Sequence, residues 1–423
     1  MQSSLIIQKY GGSSVQNTEM IRSVAKHIQR TQLGGNSLVV VVSAMGNYTD
    51  TLIQLAKEIT DNPASRELDM LISAGERISM ALLSMALHEL GVHSVSLTGS
   101  QCGILTSAEH GAAKITAILG DRIQENIDAG KVVIVAGFQG VNQTTKEITT
   151  LGRGGSDLTA VALGIRLSAE RIELYKDVSS VYSASPRQVK NPLPISQIHY
   201  RTMADLAFFG SEVVHKRSVV LAEAYGVAIY IKPTSAPTET GTVITGDVSM
   251  ENQAVKAITQ KKDLCLLDIS VKGNGAHTAA LPTILEICAE KEVTVYSAQI
   301  KRKISSTSSE TDIALAPSMD VSIVISNADL SKLSARLKKE EKTNEFSIED
   351  IKVQTNSVES FTLVGAGLSS WPNLFKEFKN ELVDLCLVDQ IYTDGWITVV
   401  MDVEKGKTVD MERLHEKFVV ANP

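Results

Sequence analysis

Over its first 245 residues the chain alternates apolar runs with amphipathic stretches in a regular beat. Residues 5–8 read as a short strand that runs into Lys9-Tyr10-Gly11-Gly12-Ser13-Ser14. Across residues 18–29, Ile21, Val24, Ala25 and Ile28 recur on one face, the 3.6-residue period of a helix. Residues 38–42 are wholly apolar, as expected of a strand covered on both faces, and break into the turn Ser43-Ala44-Met45-Gly46. Helices are expected at 49–60 and 73–90, strands at 94–97 and 132–136, a helix from near Ser156 and a strand at 171–175. This repetition of strand, small-residue turn and helix predicts a three-layer α/β fold around a mostly parallel sheet.

Near Pro233 the texture changes. Residues 232–238 are short and polar and read as the start of a linker. Beyond residue 253 two β-α-β stretches follow. The first has a strand at 264–270, a helix at 280–290 and strands at 293–300 and 311–316; the second has a strand at 360–364, a helix at 371–382 and strands at 384–390 and 396–402. The similar spacing predicts two small α/β modules of one type, with domains at 1–245, 253–340 and 341–423. The charge-rich run 338–342 reads as a solvated helix end.

Composition narrows the function classes. A chain of 423 residues is long enough for two or three cores, and 43% hydrophobic with 21% charged residues fits a globular protein. Aromatics are only 4%, so aliphatic side chains must fill those cores. A net charge of −7 offers no basic face for nucleic acid, and none is expected as a partner. Cys102, Cys265, Cys288 and Cys386 are widely spaced, which argues for buried reduced thiols rather than a disulfide framework or a structural metal. No leader pattern is visible at the start, and runs such as 38–42 fall far short of the roughly 20 residues of a membrane span. A cytoplasmic protein with no membrane partner is the expectation.

In a parallel sheet, ligands bind beyond the carboxyl ends of the strands, where loops enter helix N-termini. Gly11 and Gly12 would let the backbone approach a phosphate, and Lys9 would add a point charge. Taken alone, Lys-x-Gly-Gly more often marks a tight turn than a nucleotide site. Gly152-Arg153-Gly154-Gly155-Ser156-Asp157 opens a helix with a guanidinium and a carboxylate, and Arg153 suits a bidentate pair with a substrate carboxylate. A plain helix cap with a surface arginine is the competing reading. Glu76 begins an otherwise apolar helix and either binds an ammonium group or complements the helix dipole.

Together these residues resemble the aspartate kinases of the amino-acid kinase superfamily. The match runs from Lys9-Tyr10-Gly11-Gly12-Ser13-Ser14-Val15 through Val42-Ser43-Ala44-Met45, Gly75-Glu76, Ser96-Leu97-Thr98-Gly99, Gly137-Phe138-Gln139-Gly140 and the Leu-Gly-Arg-Gly-Gly-Ser-Asp segment ending at Asp157. It continues to Tyr182, Pro186-Arg187, His215, Arg217-Ser218 and Gly241-Thr242, and the tail has the pattern of paired ACT regulatory domains. The resemblance implies an amino-acid kinase fold followed by two ACT-type, ferredoxin-like α+β domains. It implies transfer of phosphate from ATP, with Mg²⁺, to the side-chain carboxylate of L-aspartate, the opening step toward lysine, threonine and methionine. By the same resemblance Lys9 and Asp157 are catalytic, and Ser43, Thr49, Glu76, Arg153 and Ser156 hold aspartate. Gly11, Gly12, Ser13, Asp177, Tyr182 and Arg187 meet the nucleotide, and Lys176, beside Asp177, is expected to join them. The metal would ride on phosphate oxygens and water rather than in a protein cage. A lysine or threonine effector at the ACT modules and a homodimer or higher homo-oligomer are also implied.

Several positions depart from the family pattern. The usual Thr-Asp pair is Lys176-Asp177, the usual Asp-Gly is Ser179-Ser180, and the acid before Pro186 is Ser185. The family's ATP-contacting lysine is Glu212, where a carboxylate would either repel a triphosphate or turn to solvent. Lys176 or Lys216 is expected to supply the missing charge. The ACT effector turn reads Gly275-Ala276-His277-Thr278, and residues 301–309 are unusually basic and read as a solvated loop. The alternatives are a catalytically weakened ACT-bearing sensor and a kinase for a related amino acid.

Overall fold

The computed structural model describes residues 4–247, 254–273, 276–302, 318–340, 346–403 and 407–421, and it divides into two compact units, Met1–Gln253 and Ala254–Pro423.

The first unit is built on an eight-stranded sheet. Its order is Gln197–His199, Thr242–Thr245, Ile229–Pro233, Arg171–Lys176, Leu5–Tyr10, Ser37–Val42, Val132–Ala136, Ser94–Leu97. Every neighbouring pair is parallel except Ile229–Pro233 with Thr242–Thr245. The central strands Ser37–Val42 and Val132–Ala136 are almost wholly buried and aliphatic because helices cover both faces. On one face Ile6 and Tyr10 pack with Ile21, Val24 and Ile28 of helix Thr18–Leu33 and with Leu83 and Leu87 of helix Ala74–Glu89. Lys9, one residue out of step, meets helix Gly155–Arg166, which is buried over most of its length. A second, four-stranded sheet places Ile115–Ile118, Ile104–Thr106, Gln139–Asn142 and Ile148–Thr150 side by side.

Sequence periodicity locates the strands at 94–97 and 132–136 and places helix Thr18–Leu33 to within a turn. It misses helix Ser65–Ile72, which is separated from Ala74–Glu89 by a single residue. Together Ser65–Glu89 is long and apolar enough to cross a membrane by composition, yet half of that stretch is buried in the unit and it carries the buried acids Asp69 and Glu76. This is the character of a core helix pair. The presumed linker at 232–238 is also corrected. Ile229–Pro233 is a strand of the main sheet, Thr234 N–H donates to the Lys176 carbonyl, and the chain turns back into Thr242–Thr245. Its polarity reflects a turn within the unit.

The second unit is a six-stranded antiparallel sheet, ordered Ser297–Arg302, Ser318–Ser326, Ala254–Lys272, Ser347–Ala366, Trp396–Asp402, Cys386–Tyr392. It comprises two ACT-type modules that share two long strands. Lys272 pairs with Ser347 at one end of the shared ladder and Ala254 with Ala366 at the other. The ladder shifts register between Lys261 and Leu264, where Asp263 has φ of 59°. The far half carries Ser318–Ser326 and the near half Trp396–Asp402, so each module has its own four strands. Helices Ala276–Glu290 and Leu330–Leu337 cover the first module through Ile284, Ile287 and Leu333. The sequence reading shows only fragments of the shared strands, because half of each is polar and is stabilised by distant partners. The expected strand at 311–316, the turn residue Gly275 and the basic positions 303–309 lie outside the described residues. Cys102, Cys265 and Cys288 are buried as expected; Cys386 is exposed, since it opens the edge strand Cys386–Tyr392.

Candidate active site

At the carboxyl edge of the main sheet, strand Leu5–Tyr10 carries Lys9 one residue before its end and the adjacent strand Arg171–Lys176 ends on Lys176. Helix Gly155–Arg166 brings Asp157 between them from its first turn. Lys9 Nζ lies 2.7 Å from Asp157 Oδ1, and Lys176 Nζ lies 2.8 Å from Asp157 Oδ2. Lys9 and Asp157 are almost wholly buried, and the Lys176 side chain is only 13% exposed. Burial alone would raise the Asp157 carboxyl, but Lys176 and Lys9 outweigh it and hold it well below the usual carboxylate range. Burial pulls Lys9 down to about 8, with Asp157 resisting and Lys176 reinforcing the shift. Two cations and one anion leave a desolvated net positive charge, which a buried site tolerates only with an anion to complete it.

The turn after Lys9 shapes the entrance. The outward position on the Gly11 Cα, where a side chain would begin, is 3.5 Å from Lys9 Nζ. At Gly12 the same position lies 2.9 Å from the carbonyl oxygens of both Ala44 and Gly46, so any side chain would collide with the second turn. Gly46 N–H donates to the Gly12 carbonyl, locking the two turns together. Ser13 faces solvent, whereas Ser14 is buried on Thr234 and the Tyr175 carbonyl. The result is a backbone-lined lip beside two ammonium groups, as phosphate binding requires.

Glu76 occupies the first turn of Ala74–Glu89 and is buried. Its Oε1 accepts from the Ala44 N–H at 3.1 Å, and its buried Oε2 has no partner among the described residues. Burial pushes its carboxyl up to about 7, against the amides of Glu76 and Ala44 and the charge of Lys9. An orphaned buried carboxylate oxygen calls for a donor, and an ammonium group supplies one. Ser43 lies in the same turn as Ala44, and Thr49 lies in the first turn of helix Tyr48–Ile59; both are half-buried. Ser156 is buried against Gly137, with its Oγ 2.8 Å from where a Gly137 side chain would begin. Arg153 is exposed and has no ion-pair partner among the described residues.

The other nucleotide-side expectations are less gathered. Asp177 and Arg187 are exposed, and Tyr182 OH lies 3.2 Å from Ser179 Oγ. None of the three bonds to the lysine pair among the described residues. Glu212 is exposed, the solvent-facing alternative. Of the two compensating lysines, Lys176 is in the cluster; Lys216 instead stacks over the Phe208 ring at 4.3 Å.

Sequence reading gave no role to three residues that build the site's frame. His215 packs against Gly154, whose φ of 71° leaves no room for a side chain, the nearest His215 atom being 2.2 Å from the substituent position. Arg217 donates to the carbonyls of Leu151 at 2.6 Å and Ala113 at 3.1 Å. Asp69 is buried and accepts from Thr150 and Gly111. Its signal in the sequence was an acid at an apolar-face position of a short helix.

A parallel α/β unit with this cluster at its carboxyl edge, a glycine lip and an adjacent carboxylate seeking an ammonium defines a small-molecule kinase. The family model described as "Amino acid kinase family" matches residues 4–233. The aspartokinase of Corynebacterium efficiens is 36% identical over 419 residues, spanning 98% of this chain and 96% of its own length. That of Geobacillus stearothermophilus is 38% identical over 422 residues, spanning 99% and 98%. Among solved structures, Escherichia coli aspartokinase III in complex with aspartate and ADP matches the fold with a TM-score of 0.78 at 20% identity, covering 97% of this chain and 99% of that one. The chain belongs to the aspartokinases of the amino acid kinase family.

Proposed function

We propose that this enzyme transfers the γ-phosphoryl group of ATP to the side-chain carboxylate of L-aspartate, giving 4-phospho-L-aspartate and ADP. The observation that carries the reading is the Lys9–Asp157–Lys176 cluster, a buried net cation at the glycine lip, set beside a carboxylate with one orphaned oxygen. Glu76 takes the substrate ammonium, and Arg153, which is free to swing, takes the α-carboxylate as a bidentate pair. Ser156, Ser43 and Thr49 line the acid.

The β-carboxylate of aspartate is already ionised at neutral pH, so no general base is needed. One of its oxygens forms the new bond to γ-phosphorus as the bond from γ-phosphorus to the bridging oxygen breaks. ADP leaves with that electron pair. Charge on the transferring group is met by Lys9 and Lys176, and Asp157 keeps both ammonium groups aimed at it. Gly11, Gly12 and Ser13 hold the phosphates, while Asp177, Tyr182 and Arg187 meet the rest of the nucleotide. Among the described residues no three carboxylate, imidazole or thiol groups sit close enough to cage a metal, and Asp157 is already engaged by two lysines. The residues therefore fit Mg²⁺ carried on phosphate oxygens and water, where it supplies charge neutralisation.

The test is to incubate purified enzyme with ATP, Mg²⁺ and hydroxylamine against a panel of acidic amino acids. An acyl phosphate is trapped as a hydroxamate, and aspartate is expected to give it far faster than glutamate. Equal or faster trapping with another acid would overturn the assignment. In the same reading the enzyme is cytoplasmic, opens the route to lysine, threonine and methionine, works as a homodimer or higher homo-oligomer, and responds to lysine or threonine at the ACT modules. Escherichia coli aspartokinase III, which shares this fold, has been solved in complex with lysine and aspartate. Inhibition assays with each amino acid, and light scattering for mass, test these extensions.

A further inference from the structure

Asp69 is a heavily engaged buried acid outside the lysine cluster, and the chemistry of the reaction has no use for it. It is 1% exposed, on helix Ser65–Ile72. Its oxygens accept from Thr150 Oγ1 at 2.5 Å, from Thr150 N–H at 3.1 Å and from Gly111 N–H at 3.1 Å, and its Oδ2 lies 2.8 Å from His110 Nδ1. A carboxylate so buried is retained only when its donors are fixed around it.

The partners show what is being fixed. Thr150 is three residues before Arg153. Gly111 holds its carbonyl oxygen 3.0 Å from where a side chain on Gly152 would begin, so the Asp69-bound loop braces the residue just before Arg153. On the other side, Ser73 N–H donates to the Asp69 carbonyl, and the Ser73 carbonyl accepts from Gln139 Nε2 at 2.8 Å. Gln139 is the strand partner of Thr150. The corner between the two helices is thus riveted twice to one hairpin. Glu76 follows that corner, and Arg153 follows the hairpin.

We infer that Asp69 is a positioning residue that sets the spacing between Glu76 and Arg153, and through it the fit to an acid carrying both an ammonium and an α-carboxylate group. This rests on the reading that those two side chains hold aspartate. A displacement of about 1 Å in such a pair costs on the order of 100-fold in a reaction that depends on alignment.

The experiment measures steady-state constants for both substrates in Asp69→Asn, Thr150→Val and His110→Asn, alone and combined with Arg153→Ala. The asparagine keeps the shape but turns an NH₂ group toward donors. Asp69→Asn is expected to raise the KM for aspartate about tenfold or more while moving the KM for ATP by less than about twofold. Thr150→Val should show the same split at smaller size, and His110→Asn the smallest. Combined with Arg153→Ala, Asp69→Asn should add little, since its effect is exerted through Arg153. Equal rises in both KM values, or full additivity with Arg153→Ala, would overturn the inference. Should Asp69→Asn fail to fold, the split in Thr150→Val and His110→Asn decides alone. Arg153→Ala and Glu76→Gln by themselves separate the two levels. If they leave the KM for aspartate unchanged, the substrate reading fails; if they raise it and the three framework variants do not, only the positioning role fails.

Discussion

Replacing Lys176 with methionine separates what the cluster does for the fold from what it does for the substrate. The methionine keeps most of the aliphatic volume and removes the ammonium. At 2.8 Å and an effective dielectric near 20, the lost attraction to Asp157 is about 6 kcal/mol before desolvation is counted. Asp157 still retains Lys9, however, so the variant holds a neutral buried pair in place of a net cation. Desolvation of Lys176 is relieved at the same time, and stability should change by no more than about 1 kcal/mol. The triphosphate loses a charge-assisted contact worth about 1.5–3 kcal/mol, a fall of roughly 10- to 100-fold in kcat/KM for ATP. The pH profile carries a second signature. Lys9 must be protonated to meet phosphate, and it is held at about 8 chiefly by burial, with Lys176 adding repulsion. In the wild type kcat/KM for ATP should therefore fall as pH rises through about 8, and in Lys176→Met this limb should move to higher pH. The assay is coupled ADP release from pH 6 to about 10, with ATP and aspartate varied separately. Parallel changes in both KM values together with an unmoved basic limb would refute the argument.

Burial holds the Glu76 carboxyl up at about 7, and it must be ionised to pair with an ammonium, so kcat/KM for aspartate should fall as pH drops through about 7. Glu76→Gln should abolish that limb while raising the KM for aspartate; a limb that survives the substitution belongs to another group. Glu212→Ala should change the KM for ATP by less than about threefold, because an exposed charge is screened by salt, and a tenfold improvement would show that the carboxylate faces the nucleotide. Gly154→Ala forces a side chain into left-handed backbone and onto His215, costing about 2–4 kcal/mol in strain and overlap. Its melting temperature should fall by several degrees, and an unchanged value would refute the close approach.

Much of the first unit was legible because its signals are local. The largely β-branched run at 38–42, broken by a small-residue turn, points to a doubly covered strand, and the face formed by Ile21, Val24 and Ile28 points to a helix. Lys9 and Asp157 stood out beside glycine-rich turns where strands lead into helices, and Glu76 as a charge at the start of an otherwise apolar helix. What escaped was fixed by distant partners. Asp69 acquires meaning only when Thr150 arrives from 81 positions away. The polar opening of strand Ala254–Lys272 is a strand only because the end of Ser347–Ala366 lies beside it. The stretch at 232–238 reads as a linker until Thr234 is seen on the Lys176 carbonyl.

That last contact bears on the departures in the nucleotide half of the site. Lys176 closes strand Arg171–Lys176, its carbonyl is capped by the Thr234 amide and hydroxyl, and the neighbouring Tyr175 ring stacks on Tyr10 at 4.7 Å. Its backbone is thus anchored on both sides before the side chain reaches Asp157. A lysine on a strand end so fixed loses little further freedom on meeting phosphate, whereas a lysine at position 212 would extend from an exposed loop and lose much more. Moving the second cation onto the sheet therefore trades reach for preorganisation. Glu212 is free to face solvent, and restoring lysine there should add less to ATP affinity than removing Lys176 takes away.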